Sequence, residues 1–299
     1  MRLAMIGLGR MGLNMSVRLI KGGHRVVGFD PMPATRSRAA RLGLRPAASL
    51  ADAVGQLKAP RTVWLMIPAG RPVWDAVDAL AGLLSPGDLV VDGGNSRYKD
   101  ASRHSEALGR RGIAFMDVGV SGGVWGLKEG YCLMAGGSAK DFRRLAPALK
   151  TLAPKEGFAL VGPTGSGHFT KMVHNGVEYA LMQGYAEGLS LLRGSPFQID
   201  LHQVSRLWNQ GSVVRSWLLE LAEAALRKDP ELKSLRGWVA DSGEGRWTVL
   251  DAVELGIPAP AITLSLFERF RSRMPDSFQD KVLAALRQEF GGHAVRRAK

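Results

Sequence analysis

The 299-residue chain is predicted to be an α/β protein. A doubly wound parallel sheet is expected over residues 1–163, followed by an all-α C-terminal domain over 164–299. Three observations carry this reading. Short apolar runs alternate with helix-length segments as far as Gly162. From Ser166 onward the apolar spacing is helical throughout. Where the two patterns meet, one long helical segment carries a continuous stripe of polar side chains.

The first apolar run, Leu3-Ala4-Met5-Ile6, leads into Gly7-Leu8-Gly9-Arg10-Met11-Gly12 and a helix-compatible segment over 13–21. A second run, Arg25–Phe29, ends at Asp30. Strand, glycine loop, helix, strand and acid in that order form a dinucleotide-binding (Rossmann) unit, a far stronger signal than a bare G-x-G-x-x-G. Gly7 permits the tight turn, Gly9 lets the backbone approach a pyrophosphate, and Gly12 lets the helix pack closely on the sheet. The free N–H groups of the helix start face the phosphates. Asp30 would accept hydrogen bonds from the adenosine ribose, and a 2′-phosphate there would meet a like charge, so NAD is expected over NADP. Arg36 and Arg38 follow closely and oppose that preference. The competing reading of Asp30 is a turn residue before Pro31.

Further strands are expected at 62–67, 89–92, 113–118 and 160–162, with helices at 72–83, 97–110 and 139–152. Repeated β-α units imply a parallel sheet with helices on both faces. Ligands bind beyond the carboxyl ends of such strands. Ile67, Pro68, Asn95 and the Ser121-Gly122-Gly123 loop fall there. Taken singly, each of these loops is equally well explained as turn chemistry.

The first helix of the C-terminal half is expected over 166–192, with others at 200–209, 213–227, 246–255, 260–272 and 276–290. On the first, Lys171, His174, Asn175, Glu178 and Tyr179 follow the spacing i, i+3, i+4, i+7, i+8. Met172, Val173, Val177, Ala180 and Leu181 occupy the other sides, which predicts a buried helix. Burying five polar groups on one face is costly unless they meet each other or a polar ligand. The stripe therefore reads as one wall of an active site, against the alternative of a solvated face. The basic tail 294–299 is expected to be mobile.

Composition bounds the rest. With 45% hydrophobic and 22% charged residues, the chain suits a globular protein with a proper core. No apolar run reaches membrane-spanning length, and the N-terminus reads as a strand rather than a leader. The single cysteine, Cys132, excludes an intramolecular disulfide and favours a cytoplasmic location. The net charge of +13 comes from scattered arginines without a long basic run, which argues against nucleic acid and leaves steering of anionic ligands. No His/Cys/Asp/Glu cluster has metal-ligand spacing.

Four segments together carry a resemblance to a known family: Gly7–Asn14, Asp92-Gly93-Gly94-Asn95-Ser96, Val120-Ser121-Gly122-Gly123 and Lys171–Tyr179. They resemble the decarboxylating 6-phosphogluconate dehydrogenases of the pentose phosphate pathway, across nearly the whole chain. His174 beside Asn175, followed by Glu178-Tyr179, separates them from the sibling β-hydroxyacid dehydrogenases. The resemblance implies that Lys171 takes the C3 hydroxyl proton as hydride leaves C3 for the nicotinamide. Lys171 then protonates the carbonyl oxygen as CO₂ departs, and Glu178 protonates C1 of the enediol. A lysine must be neutral to act as a base, and desolvation beside other basic groups favours that form. A simple Lys171–Glu178 ion pair is the competing reading. Asn95, Ser121, Gly122, Gly123, His174 and Asn175 would hold the sugar acid. Tyr179 and Arg269 would hold its phosphate. Arg287 and His293, in a tail similar to the family's R-x-x-F-G-x-H, would reach the partner subunit's site. An arginine fork suits a phosphate.

Two departures stand out. The helical block occurs once, as in the family's short form, whose subunits interlock, so at least a homodimer is expected. Ser242 stands where the long form has a phosphate-binding lysine, and Arg246 is the nearest replacement cation. Two rivals remain: a β-hydroxyacid dehydrogenase for an unphosphorylated acid, and a non-catalytic basic protein that binds nucleotides or nucleic acid.

Overall fold

A computed structural model describes residues 1–296; the last three residues of the basic tail lie outside the described residues. The chain divides into two compact units, Met1–His174 and Asn175–Lys299.

The first unit is built on eight strands: β1 (Arg2–Ile6), β2 (Arg25–Phe29), β3 (Arg45–Pro46), β4 (Thr62–Leu65), β5 (Leu89–Asp92), β6 (Ala114–Ser121), β7 (Cys132–Gly136) and β8 (Phe158–Gly162). Their order is β3-β2-β1-β4-β5-β6-β7-β8. Helices α1 (Arg10–Lys21), α2 (Pro33–Arg41), α3 (Leu50–Gly55), α4 (Arg71–Leu83), α5 (Tyr98–Gly109), α6 (Gly126–Glu129) and α7 (Ala139–Leu152) connect them, and α8 (Ser166–Arg193) begins here.

Strand periodicity splits the core between the two faces of the sheet. Along β1, Leu3 and Met5 join Leu19, Trp64, Val91, Met116 and Leu149 on one face. Ala4 and Ile6 join Val63, Leu65, Leu80, Val90 and Leu108 on the other. Strands covered on both sides need such unbroken apolar runs, and β4 and β5 are buried at every residue.

Two differences from the expected sheet have clear causes. β7 pairs antiparallel with β6, because the connection 122–131 holds only a 3₁₀ turn and the short α6. A parallel return needs a longer crossover. β3, at two residues, pairs only Val27–Arg45 and Gly28–Pro46 and is too short to leave a periodic signal.

The second unit contains the rest of α8, then α9 (Leu201–Trp208), α10 (Trp217–Lys228), α11 (Glu244–Glu254), α12 (Pro260–Arg271) and α13 (Phe278–Gly291). Several starts are written in the sequence. The side chains of Asp200, Ser216 and Ser277 accept hydrogen bonds from the Gln203, Leu219 and Asp280 N–H groups. Each such cap satisfies a donor that the helix leaves open.

The burial expected for α8 is half right. The polar stripe faces inward: Lys171 is 6%, Asn175 8% and Tyr179 5% exposed. The apolar sides are not all covered, since Val173, Val177 and Leu181 lie exposed. Helical periodicity separates the two faces correctly, but it does not say which one a single chain buries.

Candidate active site

At the carboxyl end of β1 the chain turns through Gly7, whose φ of +91° suits only glycine. A Cβ on Gly12 would lie 2.0 Å from the Gly7 carbonyl oxygen, whereas a Cβ on Gly9 would meet nothing within 4 Å. The loop is thus closed where α1 packs and open where a phosphate would approach. No side chain caps α1, and no acid lies in its first turn. The N-terminal N–H groups of Arg10, Met11 and Gly12 therefore suit an anion. Asp30, at the end of β2, accepts from the Leu8 N–H at 2.9 Å and the Met32 N–H at 3.0 Å. These bonds fix the carboxylate beside the glycine loop and leave lone pairs for ribose hydroxyls. Arg36 Nη1 donates to the Asp30 and Pro31 carbonyl oxygens at 2.8 and 3.1 Å. Ile67 is half-buried, and Pro68 and Asn95 are exposed, on the neighbouring loops after β4 and β5. The residues present fit a dinucleotide.

The start of α8 is set by an acid that periodicity alone does not reveal. Asp117, fully buried on β6, accepts from the Gly165 N–H at 2.7 Å and the His168 N–H at 2.8 Å. It caps the helix from across the sheet. Glycines allow the close approach: a Cβ on Gly167 would lie 2.5 Å from the Met134 carbonyl oxygen, and one on Gly119 would lie 2.4 Å from Lys171 Cβ. Lys171 is thereby pressed against β6 with little exposure. One turn on, His174 Nε2 lies 3.1 Å from Ser121 Oγ at the end of β6. Gly122 and Gly123 follow with φ of +119° and +53°. The structure thus joins Ser121 to His174, and places Lys171 on the same helix.

In the second unit, α8 carries Asn175, Glu178 and Tyr179. Glu178 is half-buried. The Ser242 N–H donates to the Tyr179 hydroxyl at 2.9 Å, and Ser242 Oγ lies 3.2 Å from it. The Arg269 guanidinium stacks 3.5 Å from the centre of the Tyr179 ring and donates to the Ala240 carbonyl oxygen at 2.9 Å. Tyr179, Arg269 and Ser242 are thus gathered at one place. Arg246 is committed elsewhere: its Nε and Nη2 grip the Asp241 carboxylate at 2.9 and 3.0 Å, and Arg273 adds a third bond at 3.0 Å. Arg287 and His293 lie exposed on α13 and just beyond it.

The Asp241 cluster gives a stability prediction. Hydrogen bonds from Arg246, opposed by burial and aided by Arg273, hold its carboxyl down at about 2, against an ordinary 3.8. A depressed carboxyl stabilises the fold above its unfolded value and loses that contribution as pH falls through the folded one. Asp241→Asn is expected to cost about 1–2 kcal/mol at neutral pH after allowance for the half-exposed Arg246. The difference from wild type should shrink between about pH 4 and about pH 2, as read from urea midpoints.

A phosphate-ready glycine loop, an acid after the second strand and a buried lysine on a helix packed against the sheet define a dinucleotide-dependent dehydrogenase. Residues 2–162 match the NAD binding domain of 6-phosphogluconate dehydrogenase, and residues 167–290 match that enzyme's C-terminal domain. The chain belongs to the 6-phosphogluconate dehydrogenase family. It is 44% identical over 299 residues to the NAD(+)-dependent, decarboxylating 6-phosphogluconate dehydrogenase of Haloferax volcanii, covering 99% of each chain. A Bacillus subtilis enzyme of the same description is 36% identical, with 92% of this chain matching 62% of that longer one. Among solved structures, 6-phosphogluconate dehydrogenase from Plasmodium falciparum superposes with a TM-score of 0.84 at 27% identity, over 100% of this chain and 66% of the other. A Mycobacterium tuberculosis 3-hydroxyisobutyrate dehydrogenase reaches a TM-score of 0.73 at 24% identity, over 96% and 99% of the two chains; at that identity the likeness is one of fold.

Proposed function

We propose that this protein catalyses the oxidative decarboxylation of 6-phospho-D-gluconate to D-ribulose 5-phosphate and CO₂ with reduction of NAD. The observation that carries the reading is Lys171, buried against β6 one turn before the Ser121–His174 pair. When bound, NAD supplies the hydride acceptor. The chain's own groups do the rest. Lys171 takes the C3 hydroxyl proton and later returns one to the carbonyl oxygen as CO₂ leaves. Glu178 protonates C1 of the enediol. Asn95, Ser121, Gly122, Gly123, His174 and Asn175 hold the carboxylate and hydroxyls, and Tyr179 and Arg269 hold the phosphate. In the rival reading, an unphosphorylated hydroxy acid is the substrate. Arg269→Ala is expected to raise KM for 6-phosphogluconate about 10-fold or more, since a hydrogen bond to a charged group contributes about 1.5–3 kcal/mol. An unchanged KM in both Arg269→Ala and Arg287→Ala would favour the rival.

Asp30 supports NAD over NADP: its carboxylate is fixed where a 2′-phosphate would add a second negative charge. Asp30→Ala is expected to raise KM for NAD and narrow the gap to NADP, as read from kcat/KM for the two cofactors.

The exposed Val173, Val177 and Leu181 support a homo-oligomer, at least a dimer, because an apolar helix face of this kind is stable when covered. In that assembly Arg287 and His293 reach the partner's site. Residence in the cytoplasm agrees with a lone cysteine. Among the described residues, no helix is long and apolar enough to cross a membrane.

A further inference from the structure

One turn before Lys171, α8 carries one member of a pair of ionisable groups that the proposed reaction does not use. Asp92, at the end of β5, is wholly buried, and His168, one turn before Lys171 on α8, is 2% exposed. Asp92 Oδ2 lies 3.3 Å from His168 Nε2. Asp92 Oδ1 accepts from the Gly94 N–H at 3.0 Å, which fixes the loop that presents Asn95. A single carboxylate therefore ties the Asn95 loop to the helix that bears the lysine.

The pair also sets a charge. Burial pushes the Asp92 carboxyl up, but the charge of His168 beside it and the hydrogen bond from the Gly94 N–H bring it below the ordinary range. An anionic carboxylate this deep is tolerated when a cation and hydrogen bonds answer it. Asp117 on β6 is spent on the Gly165 and His168 N–H groups. His104 on α5 is held towards its neutral form by burial. Tyr98 at the start of α5 packs edge-on against Phe169. On α8 itself, i, i+3 spacing puts the imidazole on the same side as Lys171.

We infer that Asp92 and His168 form a positioning pair for Lys171: together they present a charge-neutral floor that lets the amine reach its uncharged, proton-accepting form, and they hold the Asn95 loop against α8. This rests on Lys171 being the base. Loss of the imidazole alone removes the cation that answers Asp92, and the buried anion left behind favours the ammonium form of the lysine. Loss of both charges restores neutrality.

The test compares pH profiles of kcat/KM for wild type, His168→Gln and the Asp92→Asn/His168→Gln double variant, with NADH binding measured on each. In His168→Gln the acid limb should move up by about one pH unit, about tenfold in rate at its acid end. In the double variant the limb should return to the wild-type position, with NADH affinity unchanged throughout. The double variant leaves no unpaired buried charge, so it keeps the comparison available if the single variant folds poorly. A double variant whose limb does not lie at the wild-type position, or a His168→Gln limb superimposable on wild type, overturns the inference. If wild type itself forms no NADH from 6-phosphogluconate, it is the proposed function that fails, and the two failures are distinguishable.

Discussion

Replacing Lys171 by Met is expected to lower turnover by about 10²–10⁴-fold, the range for loss of a positioned acid-base group. Met keeps most of the side chain's length and fills the space against β6. Lys171 is 6% exposed, so the change brings little apolar surface to water. NADH affinity should stay near wild type, because the Gly7–Gly12 loop and Asp30 owe their shape to β1, β2 and Met66 rather than to α8. Single-turnover kinetics beside NADH titration checks this. A variant that keeps near-normal turnover would remove Lys171 from the reaction.

Gly167→Ala should be a strongly damaging conservative change in the support of the lysine. The added Cβ would lie 2.5 Å from the Met134 carbonyl oxygen, 2.6 Å from that of Asp117 and 2.8 Å from the Gly136 N–H nitrogen. All three are backbone atoms of the sheet and cannot turn aside. The first turn of α8 must lift, and Lys171 lifts with it. Overpacking of this kind costs about 1–3 kcal/mol. A shift of about 1 Å in a catalytic group can cost about 10²-fold in rate. Thermal denaturation together with kcat should show both losses, and NADH binding should survive. A stable variant with normal kcat would mean that the contact between α8 and β6 is not what positions the lysine.

Much of this architecture is legible in the sequence because local rules decide it. The strand–glycine–helix–strand–acid order around Gly7 and Asp30 is fixed by turn geometry and sheet packing, and the structure has the acid bonded to the loop it follows. The helices expected from 200 and 276 start within two residues of Asp200 and Ser277, which cap them, whereas the one expected from 213 starts at Trp217, behind the Ser216 cap. The polar stripe of α8 is correctly separated from its apolar side by helical period.

What escapes such rules depends on contacts distant in the chain. Asp117 reads as one more strand residue, yet it caps α8 from 48 residues away. Asp92 and His168 are far apart in sequence and meet only in the folded chain. β7 runs antiparallel because of a short connection rather than its own composition. Arg246, the nearest cation to Ser242 in sequence, is taken by Asp241, a pairing that five-residue spacing at a helix start does not announce. The exposure of Val173, Val177 and Leu181 is a property of the single chain, and periodicity is blind to whether a second copy covers it.

The most direct test is NADH formation by the purified full-length protein with 6-phosphogluconate, with NAD and NADP run side by side and ribulose 5-phosphate and CO₂ measured as products. Rapid turnover with NAD, little with NADP, and one CO₂ per NADH is the expected result. Binding of NADH without turnover of 6-phosphogluconate, combined with turnover of an unphosphorylated hydroxy acid, would contradict it.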